Sequence, residues 1–360
     1  MPKPAPKKKE SSQSSARRKR DHVDIVLKND VTFRFKTTGF ESIDFVHNAL
    51  PECNFSEIDS SVTFMGKKIS APLLVSCMTG GFSRGESINR SLAQTCQELS
   101  LAVGVGSQRQ MLDDPNKTKS FRIVREHAPG IPVLGNIGAA EVAQLYHHQY
   151  TIDDFMRLVE VIQADALVVH LNPLQELMQR EGNTNFRGVL DGITRLVAGL
   201  PCPVIVKEVG AGISADVARR LFDAGVRFID IAGAGGTSWA GIEILRRPEG
   251  SRDENFRDWG IPTYRSLRMV AELRKELPSL RIIASGGITD GITSAKAIAA
   301  GADIVAAARP FLDALMNGGK RNLKKLVGEW IDDIRRVQFL TGARTIDDLK
   351  KVPLLERSDR

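Results

Sequence analysis

Short apolar segments rich in β-branched residues recur eight times between residues 71 and 308. They are APLLVS (71–76), LAVGVG (101–106), IPVLGN (131–136), DALVVH (165–170), PVIVKE (203–208), RFIDIA (227–232), RIIASG (281–286) and DIVAAA (303–308). Amphipathic stretches such as INRSLAQTCQELS and YRSLRMVAELRKEL separate them, and several such stretches end at Gly, where a helix C-cap is expected. Strand and helix alternating eight times predict parallel strands, which close into a (β/α)8 barrel of the TIM type.

The same pattern divides the chain into four parts. We predict a disordered basic tail at 1–17, an N-terminal segment that caps the barrel at 18–70, the barrel itself at 71–345, and a C-terminal tail at 346–360. Two α/β domains would need a linker, and none is visible between residues 71 and 310. VTFMGKKIS, residues 62–70, is a candidate hairpin for the barrel floor, and 238–262 form a long insertion after the sixth strand.

Charge and composition narrow the class of protein. Residues 1–20 hold eight basic residues against Glu10 and account for the net charge of +7, whereas the rest of the chain has 42 basic and 42 acidic residues. The charge therefore lies in a Pro/Lys/Ser-rich tail and gives little support to nucleic-acid binding by the folded body. The apolar runs are far shorter than the roughly 20 residues that cross a bilayer. Four cysteines without paired spacing and no secretory signal favour a soluble protein of the cytoplasm.

Functional groups in such a barrel come from the C-terminal ends of the strands. Those ends carry Met78-Thr79-Gly80-Gly81, Ser107-Gln108-Arg109, Asn136, His170 with Asn172, Lys207, Thr237-Ser238, Ser285-Gly286-Gly287 and Arg309. SGGIT opens a helical pattern and offers free amides at a helix N-terminus, which suits a phosphate, and Arg309 supplies charge from the next loop. AGAGGTS, residues 232–238, adds a third small-residue loop. We therefore predict a bound cofactor that carries a phosphate.

Lys207 ends an otherwise apolar strand, so its ammonium is expected in the barrel mouth. One interpretation is a salt bridge with Glu208 or another carboxylate. The other is a cation held against a ligand that develops negative charge, such as the pyrimidine side of a reduced flavin. MTGG offers amides and a hydroxyl to the flavin's central ring, while Asn136 and Ser107 can satisfy its polar edge. Flavin mononucleotide (FMN) uses all of these groups together.

Nine motifs in order resemble one family. RKRDH, SCMTGG, GVGSQR, GNIGA, HLNPLQE, VKEVGAGIS, AGAGGTSW, GIPT and SGGITDG span residues 18 to 310. They closely resemble the type 2 isopentenyl-diphosphate isomerases, which are FMN- and magnesium-dependent TIM barrels that interconvert isopentenyl and dimethylallyl diphosphates. Two features depart from the family's pattern: the tail before Arg18 is long, and Cys77 stands where a smaller residue is common.

The resemblance implies a role for each matching residue. FMN would be held by Met78, Thr79, Ser107, Asn136, Lys207, Thr237, Gly286, Gly287, Ala308 and Arg309. The substrate would be held by Arg18, Lys19, His22, Arg109, His170, Asn172 and Gln175, with Glu176 as the ligand of Mg²⁺. Gln175, Lys207 and His170 would be the catalytic side chains. The resemblance also implies NADPH or NADH as the reductant that primes FMN, and a homo-tetramer or homo-octamer.

HLNPLQE places its hydrogen-bonding groups on one side of the predicted barrel mouth. His170 and Asn172 alternate to the same face of the strand end, and Pro173 begins a helix whose first turn carries Gln175 and Glu176. A carboxylate such as Glu176 can bind Mg²⁺ that also takes phosphate oxygens. The alternatives are a capping carboxylate for Glu176 and a hydrogen-bonded strand-end histidine for His170.

Moving the double bond requires adding a proton at one carbon and removing a proton from another. The strand ends show no obvious Cys or Glu acid pair, so we expect a reduced flavin to act as acid and base, with Gln175 assisting. The alternative enzyme is an FMN-dependent 2-hydroxy-acid oxidase, whose His base would have to stand where this chain has Ala234. A non-catalytic protein that docks its basic tail on acidic partners is the alternative from another class.

Overall fold

The computed structural model describes residues 12–78, 80, 81, 84–114, 116–247 and 252–357. The described N-terminal segment contains an α-helix, α1 (Ser12–Lys28), and three strands, β1 (Ile43–Phe45), β2 (Val62–Phe64) and β3 (Lys67–Ile69). Two 3₁₀ helices, Phe40–Ser42 and Phe55–Glu57, lie between these elements. Because α1 begins at Ser12, the prediction of a disordered tail over 1–17 is wrong for residues 12–17. Residues 1–11 of that predicted tail lie outside the described residues.

Eight parallel strands form a closed barrel and confirm the predicted fold. They are β4 (Leu73–Val75), β5 (Ala102–Gly104), β6 (Val133–Gly138), β7 (Ala166–Leu171), β8 (Val204–Glu208), β9 (Phe228–Asp230), β10 (Arg281–Ala284) and β11 (Ile304–Ala307). The ring closes where β11 pairs with β4, with Val305 opposite Leu73. The strands are covered on both faces, which is why they read as continuous apolar runs.

Helices surround the barrel and follow its strands. They are α2 (Gly85–Leu99), α3 (Arg109–Asp113), α4 (Lys119–His127), α5 (Ala139–Tyr146), α6 (Ile152–Ile162), α7 (Pro173–Met178), α8 (Val189–Gly199), α9 (Ala215–Asp223), α10 (Trp239–Leu245), α11 (Thr263–Glu272) and α12 (Gly291–Ala299). Ser214, Ser238 and Asp290 cap α9, α10 and α12 by accepting a backbone N–H. The insertion at 238–262 contains α10 and a 3₁₀ helix, Arg252–Asp258.

The barrel interior is apolar at its floor. Leu134, Val168 and Ile205 pack there with Phe64 and Ile69 of the β2–β3 hairpin. The hairpin predicted from VTFMGKKIS therefore does cap the floor, and the opposite end of the barrel is left for polar side chains.

The C-terminal part closes the structure. α13 (Arg309–Thr341) bends at Gly319, where φ is 66°, and is followed by α14 (Ile346–Leu349) and β12 (Leu354–Glu356). β12 pairs antiparallel with β1, so the prediction of a tail at 346–360 is wrong through residue 357. Helices of the described part are each too short or too polar to cross a membrane.

Candidate active site

One row of the barrel register holds three polar side chains. His170 on β7 is paired with Lys207 on β8, which is paired with Asp230 on β9. Val168 and Ile205, two positions earlier on β7 and β8, belong to the interior cluster. Because side chains two apart on a strand share a face, His170 and Lys207 point into the barrel mouth.

Lys207 is buried and has a carboxylate partner. Its Nζ donates to the carbonyl of Glu208 at 2.5 Å and lies 4.0 Å from Oδ2 of Asp230. The carboxylate of Glu208 turns away and accepts the N–H groups of residues 209, 210 and 211. Burial raises the pKa of Glu208 to about 6 against those hydrogen bonds. Burial also raises the pKa of Asp230, against the pull of Lys207.

His170 and Asn136 form a pair beside this row. Nδ1 of His170 lies 2.7 Å from Oδ1 of Asn136, and since an amide oxygen only accepts, the imidazole donates. Gln108 fixes Asn136 by accepting its N–H at 3.0 Å and donating its own backbone N–H to the Asn136 carbonyl at 2.8 Å. The Cys77 thiol lies near Lys207 and Asn136, and burial raises its pKa to about 11.

HLNPLQE forms the connection from β7 into α7. Asn172 donates to Oε1 of Gln175 at 3.2 Å and to Oε1 of Glu176 at 3.0 Å. The other Glu176 oxygen accepts the N–H of Asn183 at 2.6 Å. Glu176 is thus hydrogen-bonded to the far side of its own loop, and the structure brings Asn172, Gln175 and Glu176 together as predicted.

A buried carboxylate of the insertion completes this side of the mouth. Oε1 of Glu243 on α10 lies 2.8 Å from Nε2 of His22 and 3.4 Å from Nε2 of Gln175, and its Oε2 accepts from Arg246 at 2.6 Å. Burial opposes ionisation, but the hydrogen bond from His22 and the charge of Arg246 keep the pKa of Glu243 below its usual value. His22, a predicted substrate-binding residue, thus contacts a carboxylate that lies 221 residues away in the chain.

Arg109 has a partly buried carboxylate partner. Nε of Arg109 lies 3.2 Å from Oε1 of Glu141 on α5. Burial raises the pKa of Glu141, the positive charges of Arg109 and Arg18 act against that rise, and the charge of Glu176 adds to it. The Lys19 side chain is outside the described part, as is the whole of Thr79.

The predicted phosphate site is built from backbone. Gly286 has φ +100° and Gly287 has φ +71°, conformations that favour glycine. A Cβ at Gly286 would overlap the backbone of Gly233, and one at Gly287 would lie 2.8 Å from the nitrogen of Gly236. The AGAGGTS and SGGIT loops therefore meet backbone to backbone, and we call this junction of Gly233, Gly236, Gly286 and Gly287 the glycine cradle. Its backbone amides are donors of the kind that would hold the phosphate of FMN.

The remaining predicted FMN contacts lie on loops and at the start of a helix. Arg309 begins α13, and its Nε lies 3.5 Å from Asp313. Ala308 is the N-cap position of α13, and Thr237 forms a backbone bridge with Thr32. Met78 and Ser107 lie in the loops after β4 and β5.

Metal-binding groups are sparse. Within the described ranges, no three His, Cys, Asp or Glu side chains form a set that could hold a metal ion. Glu176 still fits Mg²⁺, because this ion is usually bound through one or two carboxylates together with substrate phosphates and water.

Asp230, Glu141 and Glu243 are the site residues that sequence reasoning missed. Asp230 carries a readable signal: it ends RFID two positions after Phe228, so its side chain belongs to the inward face of that strand. Glu141 and Glu243 lie on helices after the strand ends, where a carboxylate looks like ordinary surface charge.

The chain is similar to known protein families and individual proteins. Residues 169–356 match the FMN-dependent dehydrogenase family. Two proteins named isopentenyl-diphosphate delta-isomerase are similar along their whole length. The one from Chlorobium limicola is 46% identical over 96% of this chain and 97% of its own. The one from Nostoc sp. is 44% identical over 98% of this chain and 99% of its own.

Two solved structures share the fold. A lactate oxidase from Pediococcus acidilactici has a TM-score of 0.67 at 16% identity, covering 96% of this chain and 94% of its own. A mandelate oxidase mutant with a monooxide FMN adduct has a TM-score of 0.63 at 17% identity, covering 89% and 90%. At these identities the likeness shows the barrel fold alone.

Proposed function

The chain belongs to the isopentenyl-diphosphate delta-isomerase family, and we propose that FMN and the diphosphate substrate meet in the barrel mouth. The protein is an enzyme of isoprenoid biosynthesis that interconverts isopentenyl and dimethylallyl diphosphates. The observation that supports this location is that the row His170–Lys207–Asp230, on β7 to β9, lies at the same end of the barrel as the glycine cradle, which follows β9 and β10.

FMN is held at both of its ends. The cradle of Gly286 and Gly287 takes the phosphate, together with Arg309, Ala308 and Thr237. Lys207 would face the pyrimidine side, and the ring would be contacted by Met78, Ser107 and Asn136, with Thr79, which lies outside the described residues, as a further proposed contact. When bound and reduced, FMN supplies an electron-rich face and an exchangeable proton for the alkene.

The diphosphate binds on the other side of the mouth. Arg18, Lys19 and Arg109 supply positive charge, and Glu176 holds Mg²⁺ against the phosphate oxygens. His170 and Asn172 add hydrogen-bond donors at the end of β7. His22 anchors α1 to Glu243, which keeps Arg18 over the site.

Gln175 is the protein group that we assign to the reacting carbons. Its amide is oriented from two directions, because Asn172 donates to its oxygen and its nitrogen donates to Glu243. An oriented amide next to the alkene helps position the proton that is added or removed. NADPH or NADH as reductant, a homo-tetramer or homo-octamer, and the cytoplasm complete the proposal.

A 2-hydroxy-acid oxidase is the second candidate, because solved oxidases share the fold. That chemistry requires a His base after the sixth barrel strand, and this chain has the fully buried Ala234 there. The sequence relatives and Ala234 both favour the isomerase.

The proposal is tested by anaerobic incubation of the purified protein with isopentenyl diphosphate, reduced FMN and Mg²⁺. We expect dimethylallyl diphosphate to form, and to form far more slowly when FMN stays oxidised or Mg²⁺ is removed. Parallel incubation with lactate or mandelate under oxygen should give no hydrogen peroxide. Isomerisation at full rate without flavin, or oxidation of a hydroxy acid, would contradict the proposal.

A further inference from the structure

We propose that Asp230 is a positioning residue that acts through Lys207 and limits how strongly the site prefers reduced over oxidised FMN. This inference rests on the proposed FMN site. It concerns a carboxylate that neither the strand-end motifs nor the glycine cradle includes. Its basis is the set of contacts that Asp230 makes inside the barrel.

The two carboxylate oxygens of Asp230 contact different groups. It ends β9 and is only 2% exposed. Oδ2 faces Nζ of Lys207 at 4.0 Å, while Oδ1 accepts the hydroxyl of Ser285 at 2.6 Å and the N–H of Ala232 at 3.2 Å. A carboxylate held by two donors on one oxygen cannot turn freely, so its other oxygen stays directed at the ammonium.

The charge of Lys207 is balanced mainly by this carboxylate. Its closest partner is the neutral carbonyl of Glu208, whose own carboxylate is occupied by backbone N–H groups. Lys207 and Asp230 are both buried, and charges interact strongly where water is excluded. Asp230 therefore offsets part of the positive potential that Lys207 presents to a ligand in the mouth.

The same carboxylate links two parts of the FMN site. Ser285 directly precedes Gly286, and Thr263 fixes that loop by donating to the Gly286 carbonyl at 2.6 Å. Asp230 thus connects the residue facing the pyrimidine side with the loop that takes the phosphate. A change at Asp230 acts on Lys207 by charge and on Gly286 by position, and these two effects have different readouts.

Asp230→Asn in the FMN-loaded protein tests the charge effect. The amide keeps the shape and removes the negative charge, so reduced, anionic FMN should gain affinity relative to oxidised FMN. We expect the ratio of the two dissociation constants to shift at least tenfold toward reduced FMN, which corresponds to about +30 mV in a two-electron midpoint potential. Lys207→Met should shift the potential in the opposite direction.

The double variant decides whether Asp230 acts through Lys207. If it does, Asp230→Asn should leave the potential nearly unchanged once Lys207 is already Met, because the charge it balances is gone. Asp303→Asn is the matched control, since it removes a carboxylate at the opposite end of the barrel and should leave the potential unchanged. Asp230→Ser removes the same charge with a smaller side chain and serves if the Asn variant does not fold.

Each outcome has one meaning. A parent protein that binds no FMN would overturn both the proposed function and this inference, which rests on it. A parent that binds FMN, with Asp230→Asn and Asp230→Ser at the parent's potential, would overturn the inference. A positive shift that persists in the Lys207→Met background would show that Asp230 acts on the flavin without Lys207, which also overturns it.

Discussion

The two sides of the barrel mouth are built from different groups, backbone on one side and polar side chains on the other. On the proposed phosphate side, Gly233, Gly236, Gly286 and Gly287 bring backbone so close together that no Cβ fits. The proposed substrate side is built from charged and amide side chains of several helices and loops: Arg18, His22, Arg109, Glu141, Asn172, Gln175, Glu176 and Glu243.

This difference determines how each side responds to substitution. Steric repulsion rises steeply as atoms overlap, so a single side chain added in the cradle should abolish FMN binding. Charge contacts are partly shared among neighbours, so losing one or two should weaken binding in steps. Substitutions on the two sides should therefore separate flavin affinity from substrate affinity.

Gly287→Val should cause the largest effect. The new side chain meets the loop of Gly236 at a position with φ +71°, and it displaces the backbone amides that are proposed to hold the phosphate. Losing several charge-assisted hydrogen bonds should weaken FMN binding about a hundredfold or more. Fluorescence titration with FMN measures this. Gly328→Val on α13, where an added Cβ meets nothing within 4 Å, is the control, and a folded Gly287→Val protein with full flavin would place the phosphate elsewhere.

Arg18→Ala combined with Lys19→Ala should raise the substrate KM at least tenfold while FMN stays bound. Each charge-assisted phosphate contact is worth about 1.5–3 kcal/mol. Steady-state kinetics, with FMN content read from the absorption spectrum, gives both quantities. Removal of residues 2–11, which precede α1, should leave KM unchanged. Equal KM values in the double variant and the parent would remove this segment from the site.

Glu208→Gln should change how stability depends on pH. Burial raises the pKa of Glu208 to about 6 in the folded protein, so the folded form binds the proton more tightly than the unfolded form does. The contribution of Glu208 to the parent's free energy of unfolding should therefore fall by about 2 kcal/mol as pH rises from 4 to 8, most steeply between the unfolded and folded pKa values.

The glutamine variant should lack this fall, so its stability relative to the parent should increase toward pH 8. Urea unfolding at several pH values measures the difference. Glu98→Gln is a control of opposite sign, because Lys320 and Lys324 lower the pKa of that exposed carboxylate. Parallel pH curves for Glu208→Gln and the parent would show that Glu208 is not protonated more readily in the fold.

Lys207→Met should have the smallest effect among these changes and should act on the redox state. Without the ammonium, reduced FMN loses a stabilising charge, and the midpoint potential should fall by about 30 mV, a tenfold change in the affinity ratio. Spectroelectrochemistry measures the potential. Lys67→Met, which removes an ion pair with Asp165 at the other end of the barrel, should leave it unchanged. An unaltered potential in Lys207→Met would remove Lys207 from the flavin.

Much of the barrel could be predicted from the sequence because each strand carries its own local pattern. The runs that contain Asn136, His170 and Lys207 are apolar, bounded and regularly spaced. Six of the eight strands lie within the predicted segments, while β6 and β7 extend past theirs to Gly138 and Leu171. The floor hairpin was also local. By contrast, β1 and β12 are three residues each and pair across the whole chain, so neither has a pattern that stands out alone.

The site was predictable for residues at strand ends and not for their partners. The contact between His22 and Glu243 joins α1 to the insertion, and nothing in either local sequence specifies the other. The alternative of a salt bridge for Lys207 was open on sequence. The structure pairs it with Asp230 rather than with the adjacent Glu208 carboxylate, because neighbouring residues on a strand point to opposite faces.

The pairing of β12 with β1 also affects the order in which the chain can fold. β1 pairs with β12, with Ile43 opposite Glu356, and β4 pairs with β11. Two early strands must therefore find two late strands before every strand edge is covered. Contacts of such long sequence separation form slowly, and open strand edges promote aggregation meanwhile. During synthesis, which proceeds from the N-terminus, the edge of β4 that pairs with β11 stays exposed until residue 307 has been made. The edge of β1 is covered later still, only after residue 356 has been made.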